Sequence, residues 1–159
     1  MIDTTPLVLF LVALPFSLWA AFTDLRDMKI LNPCNAGLFL AFVSVGAFLF
    51  PLDEYALRLA QAALMLVVGM LLNATGHMGG GDSKFIAAMA PFVALQDATM
   101  FLMLLAAASL ITVGLHRGIG AISPLQPALA GWKSWNAGGK FPFGVTLAST
   151  LMVYLAFGL

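Results

Sequence analysis

Long apolar runs broken by short polar clusters dominate the chain. Six stretches, roughly 5–23, 36–51, 57–75, 84–95, 98–115 and 142–159, are almost free of charge, and a helix needs about 20 such residues to cross a bilayer. The pattern predicts an all-α integral membrane protein of about six transmembrane helices, one polytopic domain over residues 1–159. The second run is short and the fourth shorter still. About 12 residues rising 1.5 Å each cover roughly 18 Å of an apolar core about 30 Å thick, so the fourth helix is expected to begin below one membrane surface. The longest interruption, 116–140, holds Trp132 and Trp135 among basic residues. Tryptophan favours the headgroup level, and the segment reads as a cytoplasmic, interfacial loop within the domain.

Composition agrees with this pattern. Of 159 residues, 62% are hydrophobic and 9% charged, with a mean hydropathy of +1.01, too apolar for a water-facing surface. The formal net charge is zero, which leaves no basic footprint for nucleic acid. Cys34 is the single cysteine, so neither an internal disulfide nor a thiolate metal cluster is available. The first basic residue is Arg26; without a positive n-region the first run is expected to stay as a span, not leave as a signal peptide.

Charge orients the spans. With the N-terminus outside, the loops facing the cytoplasm carry Arg26, Lys29, Lys84, Arg117, Lys133 and Lys140, and only Arg58 lies opposite. By the positive-inside rule the chain is N-out and C-out. Asp3, Asp53, Glu54 and Asp97 then fall outside, and Asp24, Asp27 and Asp82 inside.

That topology brings together two residues far apart in sequence. Asp24, in "WAAFTDLRDMKILN", ends the first span; Asp82, in "GHMGGGDSKF", precedes the fourth. Both arrive at the cytoplasmic face and are expected to be neighbours. Two facing carboxylates in a partly dry site share a proton, which gives one base to activate water and one acid to polarise a peptide carbonyl. This chemistry requires no metal. Gly79, Gly80 and Gly81 can take positive φ and admit a second chain, and irregular backbone at this depth implies a wet cavity. Plainer readings stand beside this one: Asp82 as an N-cap, Asp24 as an interfacial carboxylate near Arg26 with Asp27 competing for its role, Lys84 as a snorkelling lysine. Functional rivals are an ion or proton relay in a small transporter or channel subunit, and a non-catalytic assembly scaffold.

"GGGDSKF" resembles the Gly-x-Gly-Asp-x-Lys signature of the type IV prepilin peptidases, membrane aspartic proteases. In register, Gly79 and Gly81 are its glycines, Asp82 its second catalytic aspartate and Lys84 its lysine. "TDLRDMKILNPCN" resembles the segment with the first catalytic aspartate, here Asp24, with Asn32 or Asn35 as its turn asparagine; Leu31-Asn32-Pro33 departs from the usual order. "KFPFGVTLA", with Pro142 and Gly144, is similar to the segment that opens the last span in short members. The resemblance implies a multi-pass protein of the bacterial inner membrane that removes the leader from prepilins or pseudopilins at the cytoplasmic face. It implies no cofactor. Larger members also methylate the new N-terminus and carry paired Cys-x-x-Cys motifs in an added segment. With one cysteine, this chain resembles the peptidase-only branch serving tight-adherence (Flp-type) pili, for which no methyltransferase activity is expected. Lys84 and Lys140 are expected near the mouth of the site, where they would orient acidic groups of the substrate.

Overall fold

A computed structural model describes residues 4–158, and every regular element among them is helical. Asp3, and Leu159 at the end of the last expected span, lie outside the described residues. The helices are α1 (Thr5–Asp27), α2 (Asn32–Leu49), α3 (Leu52–Ala74), α4 (Gly80–Met89), α5 (Ala98–Ala121), the single turns α6 (Gln126–Leu129) and α7 (Lys133–Asn136), and α8 (Phe143–Phe157). Four helical segments are long and apolar enough to cross a membrane: Thr5–Asp27, Asn32–Leu49, Leu52–Ala74 and Leu95–Ala121. Leucines such as Leu18, Leu64, Leu102 and Leu110 are left on the outside of the bundle, tolerable for a protein solvated by lipid and not by water.

Several boundaries differ from those read in the sequence, among them the starts of α3 at Leu52 and of α4 at Gly80, and three bear on the site. α1 continues to Asp27, so Asp24 lies inside a helix and not at its end. α2 starts at Asn32, four residues earlier than expected, because Pro33 sits in its first turn, where a missing N–H costs nothing. With 18 residues it is long enough to span. α5 runs on to Ala121 and takes His116 and Arg117 out of the expected loop.

Helix α1 shows how the interior is built. Leu9, Ala13, Ser17, Ala20 and Asp24 recur at intervals of four or three residues, and all are buried, forming one stripe at helical period. Small residues let helices pack closely in lipid, where the hydrophobic effect does not hold them together. α1 packs on α8 and α2, α4 packs on α3, α2 and α8, and α5 packs on α8. A core of Phe42, Phe85, Phe92, Leu38, Leu147 and Leu151 fills the space between them, each fully buried. The α5–α8 contact carries a hydroxyl pair, Thr112 and Thr146, at 2.6 Å.

The 10 residues of α4 rise only about 15 Å, and a 3-10 turn, Ala90–Phe92, follows at once. Its start is set by Gly69 of α3, where a Cβ would come within 3.0 Å of the Ser83 carbonyl. Gly69 is five residues short of the end of α3, so Ser83 sits about 7 Å along the bundle from that end. Its far end is held by Arg58, which is 7% exposed. Nη1 donates to the Pro91 carbonyl at 2.9 Å, Nε and Nη2 donate to Glu54 Oε1 at 3.0 and 2.8 Å, and the guanidinium lies 4.1 Å over the Phe50 ring.

One substitution isolates that clamp. Arg58→Met leaves the Pro91 carbonyl and Glu54 without their donor, and is expected to cost about 2–3 kcal/mol, Glu54 being partly solvated. Thermal unfolding in detergent should show a lower midpoint; an unchanged midpoint would mean that the far end is closed by something else.

Candidate active site

Asp24, the last member of the buried stripe of α1, is 5% exposed. One turn later the helix stops. Met28 takes a left-handed conformation, φ 56° and ψ 41°, and its N–H donates to the Asp24 carbonyl at 2.9 Å. A left-handed residue other than glycine is uncommon; here it reverses the chain immediately beside the carboxylate. Ile30 then turns inward, 6% exposed, and Leu31 leads into α2.

Against this turn stand the first residues of α4 and α8. A Cβ on Gly81 would lie 3.1 Å from the Ile30 carbonyl and 3.2 Å from its nitrogen, so the two backbones nearly touch. A Cβ on Gly144 would lie 2.7 Å from Ile30 Cδ1 and 2.8 Å from Asp24 Oδ2. The Gly144 N–H donates to that Oδ2 at 2.6 Å, fixing the carboxylate from the N-terminus of α8, where exposed N–H groups favour negative charge. Ile30 is thus wedged between two glycines from different helices. Pro142, just before α8, is buried.

Asp82 is the third residue of α4, after the N-cap Gly79, and makes no capping hydrogen bond. The N-cap reading therefore does not describe it. Nor do the three glycines take positive φ: Gly80 and Gly81 are helical and Gly79 has φ −65°, while the turn into the motif is made by Gly76 at φ 77°. Their use is proximity. A Cβ on Gly79 would fall 2.8 Å from Asp82 Oδ2, whereas one on Gly80 meets nothing closer than Asn73 at 3.6 Å. The two demanding positions are the outer glycines of Gly-x-Gly-Asp, and the middle one is free.

The two carboxylates face one cavity of about 350 Å³, lined by Asp24, Met28, Ile30, Asn32, Gly79, Gly81 and Asp82 among others, and they are close enough to repel each other. Asp82 lies outside the four long spanning helices; burial pushes its carboxyl up, to about 6, because removing water disfavours charge. Of the other expected site residues, Lys84 stands to one side, its Nζ donating to Asn32 Oδ1 at 2.9 Å. Gly144 acts on Asp24 and not as cavity wall, and Pro142 does not reach the cavity. The asparagines divide their work: Asn32 lines the cavity, while Asn35, 5% exposed, donates from Nδ2 to the Gly81 carbonyl at 3.3 Å. Asp27 is drawn away, 46% exposed, with Lys133 Nζ at 3.8 Å.

Sequence reasoning missed Met28 and Ile30, because nothing in "DMKIL" signals a left-handed cap or an inward isoleucine. It also missed Asn73, whose Nδ2 holds the Met78 carbonyl at 2.8 Å and so ties the glycine loop to α3.

Beside the aspartate cavity, α2, α3 and α4 enclose an apolar groove of about 470 Å³, lined by Ala36, Phe39, Leu59, Ala62 and Leu66, with Asn32 and Lys84 at its polar edge. Asn32 belongs to both spaces.

No curated protein and no solved structure is matched by the chain. A family description does match, over residues 11–116, that of the type IV leader peptidases, a stretch that contains both aspartates, the glycine motif and the groove. The protein is thus a membrane peptidase, and the chain belongs to the type IV leader peptidase family.

Proposed function

We propose that the protein is an aspartic endopeptidase of the bacterial inner membrane that removes the leader from prepilins or pseudopilins at the cytoplasmic face, with Asp24 and Asp82 as its catalytic pair. The observation that carries this reading is the shared cavity. Two carboxylates from different helices face one space, framed by close approaches at Gly79, Gly81 and Gly144 where a Cβ would crowd its neighbours. With one proton between them, the ionised member takes a proton from a water molecule as its oxygen attacks the scissile carbonyl. The neutral member gives its proton to the developing oxyanion, and proton transfer to the amine nitrogen then releases the mature N-terminus. The two titrate as a coupled pair, so the roles of base and acid belong to the pair.

The groove supports a substrate with an apolar helix. It is almost wholly apolar, opens beside the cavity and shares Asn32 with it, so a helix seated there would deliver the residues preceding it to the aspartates. Lys84 at the groove's edge suits an acidic group near the start of that helix. The single cysteine supports the peptidase-only branch of the Flp type, without N-methylation.

Membranes incubated with a pilin precursor test the pair. Asp24→Asn and Asp82→Asn should each lower cleavage by about a hundredfold or more at normal protein level, while Asp27→Asn, whose carboxylate faces Lys133, cleaves almost normally. Retained cleavage in either of the first two sinks the two-aspartate mechanism.

Cleavage should also follow pH as a bell. It falls in acid when both carboxyls are protonated and in alkali when the shared proton is lost. Because burial lifts Asp82 to about 6, the alkaline limb should lie above that value and not near 4, the ordinary aspartate value; a rate already lost at pH 5 contradicts this.

The glycines provide a matched comparison. Gly144→Ala forces Asp24 or Ile30 to move and should reduce kcat about tenfold or more, while Gly80→Ala, where a Cβ has room, should leave it near normal. Equal effects would show that the close approach at α8 does not position Asp24.

A further inference from the structure

A second polar cavity, of about 420 Å³, lies between the end of α5 and the segment leading into α8, lined by His116, Arg117, Ser134, Trp135, Asn136 and Lys140 among others. It is at the same end of the bundle as the aspartates, since Lys133 pairs with Asp27 and Trp132 packs edge-on against Phe22 of α1, ring centroids 5.7 Å apart. Lys140 lines this space and not the aspartate cavity.

Its charge is uncompensated. Arg117 and Lys140 both line it, and neither makes an ion pair; those found among the described residues are Arg58–Glu54 and Lys133–Asp27. No Asp or Glu occurs in the sequence after Asp97; the acid that α1 brings against α7, Asp27, faces Lys133 and does not line the cavity. The wall also holds two buried polar atoms without a partner, Ser134 Oγ and His116 Nε2, and Ser134 is 3% exposed. A buried hydroxyl left unpaired costs about 1–3 kcal/mol.

The arrangement is built and not incidental. The His116 ring stacks on Trp135, centroids 4.6 Å apart at 13°, and Trp135 Nε1 donates to the His116 carbonyl at 3.0 Å. Gly120 makes room for that indole, since a Cβ there would lie 2.7 Å from Trp135 Cδ1. The stacked indole and the glycine thus fix the imidazole in the wall of a cavity that Ser134, Arg117 and Lys140 also line. Trp132 and Trp135 are suited to the headgroup level of a bilayer.

We infer that this cavity binds a phosphate group bearing net negative charge, with Arg117, Lys140, Ser134 and His116 as its donors, supplied by the headgroup of an anionic phospholipid or by free phosphate. Arginine gives a fork that fits two phosphate oxygens and lysine a point charge; the serine hydroxyl completes the set. This inference rests on the bilayer setting and is independent of the peptidase chemistry.

The full chain, purified in neutral detergent, is offered phosphatidylglycerol, phosphatidylcholine or inorganic phosphate, and binding is read by native mass spectrometry and by the thermal midpoint, which rises with any ligand that prefers the folded state. One phosphatidylglycerol retained per chain in preference to phosphatidylcholine identifies the lipid as the source. Stabilisation by inorganic phosphate without that preference, lost in the Arg117→Gln/Lys140→Gln double variant, identifies free phosphate. In either case the double variant should weaken binding about tenfold or more and Ser134→Ala about threefold, while Arg117→Lys/Lys140→Arg keeps most of it. Binding that is indifferent to both the double variant and Ser134→Ala overturns the proposal, as does equal retention of phosphatidylcholine and phosphatidylglycerol with no effect of phosphate. Should the double variant not fold, unchanged affinity in Ser134→Ala alone is sufficient to overturn it.

Discussion

The aspartate end of the molecule depends on backbone touching backbone around Ile30. Three segments that are remote in sequence, the α1–α2 turn and the first turns of α4 and α8, meet there at distances where a Cβ would crowd the Ile30 backbone on one side and its side chain on the other. In lipid no hydrophobic force draws helices together, and close approach through small residues with short hydrogen bonds takes its place. The Gly144 N–H on Asp24 and the Asn35 amide on the Gly81 carbonyl therefore do two things at once. They close the bundle, and they orient the groups that the cavity presents.

The far end answers a different constraint. A helix of 10 residues stops deep inside the protein, and its last carbonyls require donors that lipid cannot give. Arg58 supplies one at Pro91, in the 3-10 turn that continues the helix, and its charge is neutralised within its own helix by Glu54. Tyr154 continues the closure, its hydroxyl donating to Asp97 at 2.8 Å and accepting from the Ala94 N–H at 3.1 Å. The arginine that stood apart in the sequence, on the wrong side of the charge count, is thus a structural element of the short helix.

Much of this was legible from spacing. The short fourth run announced a short fourth helix, and Asp24 stood at the right interval to follow Ala13, Ser17 and Ala20 into the interior. The Gly-x-Gly-Asp pattern anticipated two demanding glycines, and the structure gives the reason for each: one for the side chain of Asp82 and one for Ile30. What could not be read were features set by tertiary contact. Met28 carries no mark of a left-handed cap, and two asparagines three residues apart gave no sign that Asn35 would face inward while Asn32 faced the cavity. The choice between Asp24 and Asp27 was equally closed to sequence, because it depends on where Lys133 returns to the bundle.

The burial of Asp24 and the partial burial of Asp82 have a consequence for the medium in which the two carboxylates stand. The cavity is already half dry: Asp24 is 5% exposed, and burial lifts the Asp82 carboxyl, so charges there interact more strongly than in water. On the proposed reading, a peptide laid across it would displace the remaining water, and each interaction between carboxylate, backbone N–H and scissile amide would strengthen as the effective dielectric falls. On that reading the substrate would complete the drying that the fold begins.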